Sequence, residues 1–216
     1  MQTPRSTLAY ETIKKAIDSG EILPGSQLLE ANLCSSLQMS RTPIREALNK
    51  LAAEGYLEHA AGCGFTATVY TVDKVKKIYE KIEAIEGMLA YILAENNSKV
   101  DLFKLDAAVS GMEESLKNGD SSRWAYFDNE FHNVMYASCD NEYIMKDLVF
   151  LSHPSRHIRD MITTVYLDKS ISTKSHRYVC DAIKSGDAES ARREAQNHFR
   201  WVRKEVIACM QRFNIN

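Results

Sequence analysis

Three histidines and one aspartate fall where a helical chain would bury its side chains. In "RWAYFDNEFHNVMY" (residues 123–136), Trp124, Phe131 and Met135 mark an apolar stripe, and Asp128 and His132 share it, four residues apart. "SHRYVCDAIKSGD" puts His176 on a stripe with Val179, Cys180 and Ile183, and "AQNHFRWVRKEV" puts His198 with Ala195, Phe199, Val202 and Val206. A buried carboxylate or imidazole needs partners. Four such groups on the inner faces of three helices can share one partner, a divalent metal ion. Asp and His at i, i+4 offer two ligands from one helix face, and facing helices supply the others. A three-His, one-Asp set suits zinc first, and also nickel, iron, manganese or cobalt. An open coordination position would admit a small molecule carrying a carboxylate. Taken singly, a histidine on an apolar face is more often a satisfied core residue; it is the four together that point to a shared ion. His153 and His157 form a rival i, i+4 pair in "SHPSRHIRDM", with no carboxylate on their stripe, and Arg156 and Arg159 beside them are candidates to pair with an anionic ligand.

The elements that must position these groups are helical. From residue 72 onward the pattern predicts helices near 72–96, 99–118, 121–138, 141–161, 168–185 and 187–213. The breaks at "NNS", "NGD", "CDN", "YLDK" and "SGD" are rich in turn and cap residues. No strand pattern interrupts them, so this part reads as an all-α bundle.

The first 71 residues read differently. Leu8, Ile13 and Ile17 approach helical spacing before Gly20, and "GEILPGSQL" is a Pro-Gly connector. "LLEANLCSSLQM" is a second short helix with Leu29, Leu33 and Leu37 on one stripe. Ser40 is a good N-cap for a third helix that carries Pro43 in its first turn and ends at Gly55. "YLEHAAGCGFTATVY" then has the character of a hairpin, with strands near 56–59 and 65–70 around a glycine turn. Three short helices and a hairpin make a winged helix-turn-helix. Arg41 and Arg45 stand at the end of the third helix where the backbone dipole disfavours cations. Four residues apart, they share a face from which they can reach phosphates or a guanine edge, and Thr42 can donate to a phosphate oxygen. Gly62 and Gly64 would let the wing approach a duplex closely. The alternative is that both arginines pair with Glu46 and nearby acids on a solvated face.

Composition neither forces nor forbids this reading. Net charge is −2, and residues 1–70 carry six Lys/Arg against seven Asp/Glu, so a nucleic-acid surface would have to gather its cations on one face. No apolar run is long enough for a membrane span, and the first residues lack a secretory signal. Five scattered cysteines (Cys34, Cys63, Cys139, Cys180, Cys209) read as reduced thiols, which predicts a cytoplasmic protein.

"SRTPIREALNKLAAEGYLE" with "GCGF" behind it, "GEILPGSQLLEANL" ahead of it, and "FDNEFHNVM", "DNEYI" and "SHRYVCDAIKSGDAESARREAQNHF" in the second half together resemble the GntR family of bacterial transcription regulators, FadR type, over nearly the whole chain. The resemblance implies a mainly α protein: a winged helix-turn-helix DNA-binding domain over 1–71 and an antiparallel helical effector-binding domain, called FCD, over 72–216. It implies a homodimer on palindromic operator DNA that answers to a small organic acid bound near a divalent metal. By motif, the metal ligands would be Asp128, His132, His176 and His198. The DNA contacts would come from Ser40, Arg41, Thr42 and Arg45 with the wing around Gly62–Gly64, and the effector contacts from Lys81, Arg156 and Arg159. Departures from the family pattern are Ala31 or Asn32 where some relatives carry a DNA-touching arginine, a wing poor in basic residues, Lys81 in place of an arginine, and Ser175 in place of the usual acid before the third ligand. Two other readings are a regulator for which the metal itself is the signal, and a helical metalloenzyme. An enzyme would leave the N-terminal winged helix unexplained.

Overall fold

The structure is a computed structural model and describes residues 4–60, 64–162 and 168–212. It divides into two compact units, Met1–Thr71 with Phe150–Ile158, and Val72–Val149 with Arg159–Ile215.

In the first unit, α1 (Arg5–Asp18), α2 (Glu30–Leu37) and α3 (Arg41–Ala53) accompany a three-stranded antiparallel sheet of β1 (Gln27–Leu28), β2 (Leu57–Ala60) and β3 (Gly64–Ala67) in the order β1-β3-β2. The core forms because α3 repeats apolar residues at helical spacing. Ile44, Ala47, Leu48 and Leu51 are buried against Ala9, Ile13 and Ile17 of α1 and against Leu28, Leu57 and Phe65 of the sheet. Each large side chain so buried contributes roughly 1.5–3 kcal/mol. The opposite face of α3, with Arg41, Thr42, Arg45, Glu46 and Asn49, stays exposed.

The predicted hairpin is present, shorter than the sequence suggests, with His59 opposite Phe65 and their rings 4.7 Å apart. At its base the Thr68 and Tyr70 hydroxyls both donate to the Gly55 carbonyl, which ties the sheet to the end of α3. Two details differ from expectation. The connector contributes β1, a two-residue strand on β3 that no periodicity announces. Leu29, expected on the buried stripe of α2, is instead its N-cap and remains exposed. The turn between α2 and α3 is made by Gln38 at φ 51°, a left-handed helix cap without glycine.

The second unit is helical among its described residues: α4 (Val72–Glu95), a short 3₁₀ turn (Asn97–Lys99), α5 (Leu102–Lys117), α6 (Ser121–Ala137), α7 (Glu142–Ile162, apart from its Phe150–Ile158 stretch, which belongs to the first unit), α8 (Lys169–Ser185) and α9 (Ala188–Arg212). These spans follow the predicted helices to within a few residues. Helix starts are set by side-chain caps: Asp101, Asp120 and Asp168 accept backbone N–H groups of Lys104, Arg123 and Ser170. Gly186, at φ 74°, ends α8 in a left-handed cap. The core joins Leu89 and Leu93 of α4, Leu105 and Met112 of α5, Phe131 and Met135 of α6, and Val179 and Ile183 of α8. At Gly111, α5 comes so close to α6 that a Cβ atom there would lie 2.5 Å from the Phe127 ring. No helix among the described residues is long and apolar enough to cross a membrane.

Candidate functional site

The apolar stripes read from the sequence bring the three histidines together. His132 enters from α6, His176 from α8 and His198 from α9. One ring nitrogen from each lies within 4.8 Å of the others. His176 and His198 are buried and His132 nearly so. The His132 and His176 Nε2 atoms are 3.4 Å apart, and Asp128 Oδ1 lies 3.6 Å from His176 Nε2. Phe131 and Phe199 pack edge-on against the rings.

Neighbouring groups fix where the ring protons sit. His176 Nδ1 is 2.8 Å from the Ser172 carbonyl, which can only accept, so Nδ1 carries a hydrogen and, in the neutral ring, Nε2 keeps its lone pair. The Ser175 hydroxyl donates its one hydrogen to the same carbonyl at 2.7 Å. With that hydrogen committed, its oxygen can accept from His198 Nδ1, also at 2.7 Å, and in the neutral ring His198 Nε2 then keeps its lone pair. On the far side of His132, the Glu86 carboxylate stands 4.0 Å from Nδ1 and accepts the Tyr136 hydroxyl at 2.5 Å. A carboxylate there favours hydrogen on Nδ1 and a lone pair on Nε2. Two bare nitrogens then face each other across 3.4 Å, close to the roughly 3.3–3.4 Å between two nitrogens each about 2.0–2.1 Å from one tetrahedral ion. The donor set fits a divalent cation.

Sequence reasoning missed Glu86. It is almost fully buried, on the same stripe of α4 as Val75, Tyr79, Ile82 and Leu89. The signal was a carboxylate at a core position of an amphipathic helix. A second cluster of metal-ligating types, Asp106, Cys180 and Asp181, is already engaged: Asp106 pairs with Arg177 and Lys184 at 2.9 and 2.8 Å, and burial pushes the Cys180 thiol up to about 11.

Of the expected effector residues, Lys81 is turned outward. It lies one residue off the buried stripe of α4, its side chain is 45% exposed, and its ammonium pairs with Asp147 at 3.0 Å. The structure does not bring it to the histidines. Arg156 and Arg159 lie on α7, and their side chains, like those of His153 and His157, fall outside the described ones.

On α3, Ser40 occupies the N-cap position with extended backbone, but its side chain makes no capping hydrogen bond. Arg41, Thr42 and Arg45 share the exposed face, as their spacing predicts. Arg45 has an acidic partner, though not Glu46: its Nε and Nη2 donate to the two carboxylate oxygens of Glu30, at 2.8 and 2.9 Å. Gly64 opens β3 at φ 93°, a conformation that favours glycine, with the Leu28 carbonyl 3.4 Å from where a Cβ would sit. Gly62 lies outside the described residues.

Against known proteins, the model of the FCD domain matches residues 77–200, and that of the bacterial regulatory proteins of the gntR family matches residues 6–66. The chain is 25% identical over 205 residues to the uncharacterized HTH-type transcriptional regulator YdhC of Bacillus subtilis (strain 168), spanning 91% of this chain and 88% of that one. It is 27% identical over 194 residues to the gluconate operon transcriptional repressor of the same organism, spanning 83% and 75%. In fold it is similar to the crystal structure of a GntR transcriptional regulator from Rhodococcus sp. RHA1, with a TM-score of 0.69 at 19% identity over 95% of this chain and 99% of that one.

Proposed function

Because the chain belongs to the gntR family of bacterial transcription regulators and carries an FCD domain, we propose that it is a metabolite-responsive regulator. In this reading a homodimer binds palindromic operator DNA through residues 1–71 and takes a small organic acid beside a divalent metal within 72–216. Family membership removes the metalloenzyme alternative: these proteins regulate transcription and are not catalysts. A repressor is the sign of regulation we favour, because the gluconate operon relative is one. In this reading it acts on chromosomal DNA, and so in the cytoplasm.

The observation that carries the effector half is the meeting of one ring nitrogen from each of His132, His176 and His198, with the Ser172 carbonyl, the Ser175 hydroxyl and the Glu86 carboxylate facing other ring nitrogens. His132, His176 and His198 would hold the ion, with Asp128 beside them, and zinc suits the set first. When bound, the ion supplies a Lewis-acidic position for a carboxylate of the effector. Ser172 and Ser175 hold the rings in ligand-competent tautomers, and Phe131 and Phe199 limit ring rotation and water entry. The DNA half is supported by the exposed face of α3 beside the wing. There Arg41 and Thr42 can reach phosphates and Arg45 a base edge.

Metal analysis of protein purified without chelators tests the first half. One ion per chain is expected, and organic acids should raise the melting temperature of the loaded protein more than that of the stripped one. Protein that holds no metal under those conditions overturns the metal reading. Operator affinity that follows metal alone, indifferent to every acid tried, would make the ion the signal.

A further inference from the structure

Glu30 and Arg45 meet across the α2–α3 turn in a two-pronged ion pair on an exposed surface. Glu30 is the first residue of α2, where the helix dipole favours an acid, and Arg45 stands in the second turn of α3. Exposed pairs of this kind contribute little to stability, and the Arg45 side chain is 62% exposed. What the pair does is geometric. Unrestrained, a long arginine side chain samples many rotamers and loses that freedom on docking. Here Glu30 occupies the Nε–Nη2 edge at 2.8 and 2.9 Å. Left over are Nη1 and the second Nη2 hydrogen, the parallel end of the fork. That end matches guanine O6 and N7 in the major groove.

We propose that Glu30 is a positioning residue for base reading: it holds the Arg45 guanidinium side-on so that only its end-on fork is offered to DNA, and so biases Arg45 toward guanine and away from the phosphate backbone. The inference rests on the reading of α3 as the helix that enters the groove. The carboxylate also repels phosphates, which weakens attachment to arbitrary sequence while leaving the guanine contact in place. Glu30 is held below the usual carboxylate range by its hydrogen bond to Arg45, so the clasp is charged at neutral pH.

The test uses the full chain. Duplexes are first selected from a randomised library by the wild-type protein, and a shuffled duplex of equal composition serves as the non-specific probe. Wild type, Glu30→Gln, Arg45→Ala and the double variant are titrated against both at several salt concentrations, with thermal melts to confirm folding. Glu30→Gln should bind the shuffled duplex more tightly, with a salt slope steeper by about one as the released guanidinium engages a phosphate. The ratio of selected to shuffled affinity should fall about tenfold, the loss of one bidentate base contact. In the Arg45→Ala background the same substitution should leave that ratio unchanged. If Glu30→Gln leaves or raises the ratio in the wild-type background while Arg45→Ala lowers it, the positioning role is overturned and α3 remains the reading helix. If Arg45→Ala alters neither affinity nor ratio, the placement of α3 itself is overturned, and this inference with it.

Discussion

The two candidate sites solve opposite problems. On α3 the functional groups are charged, exposed and held by one solvent-facing ion pair, Arg45 with Glu30. In the helical unit they are buried or nearly so, and the hydrogen bonds to Ser172 and Ser175 bear on which nitrogen keeps a proton. A surface that meets a charged duplex gains from long cations that reach outward, one of them steadied by an acid. A site that must select one ion gains from short side chains fixed on three rigid helices. The contrast teaches where tolerance to substitution should lie. Changes around α3 should shift affinities by degrees, whereas changes at the histidines should act nearly all-or-none.

The largest effect we expect is from His132→Ala combined with His176→Ala. Bound metal should drop below detection by elemental analysis, while the far-ultraviolet circular dichroism of the unbound protein stays helical. Retention of one ion per chain would break the contrast on its buried side. Next, Arg45→Ala should weaken binding to the selected duplex by roughly tenfold to a hundredfold in a gel-shift titration, with metal content unaltered. Ser175→Ala should lower metal affinity about tenfold in a chelator competition, because His198 loses the partner that fixes its tautomer. Its DNA affinity without effector should stay at the wild-type value. The smallest change is expected from Thr42→Ala: a few-fold weakening of DNA binding that applies equally to selected and shuffled duplexes, as a phosphate contact requires. A sequence-dependent loss there would move Thr42 from backbone to base contact.

How far the sequence could be read follows the range of the interactions involved. The helices of the second unit and the histidine stripes were legible because amphipathic spacing is local and the breaks carry their own turn residues. His176, Val179, Cys180 and Ile183 are all buried as their spacing requires. β1 was not legible, since two residues have no period and their pairing with Thr66 and Phe65 is made across the chain. The direction of Lys81 was not legible from a motif match alone: it stands one position off the buried stripe that Ile82 joins, a turn of about 100° on a helix, and its ammonium meets Asp147. Glu30 escaped notice as the partner of Arg45 because the α2–α3 approach brings together residues fifteen apart. Glu46 was the nearer choice along the chain.

Gly111 carries a consequence for the history of this chain. Glycine inside a helix costs about 1 kcal/mol relative to alanine, and here the Phe127 ring occupies the space a methyl would need. Phe127 immediately precedes Asp128. Any lineage that acquires a larger residue at 111 must either shrink the one at 127 or tilt the aspartate away from the histidines. Across an alignment these two positions should therefore change together, and a bulky pair should coincide with decay of the ligand set.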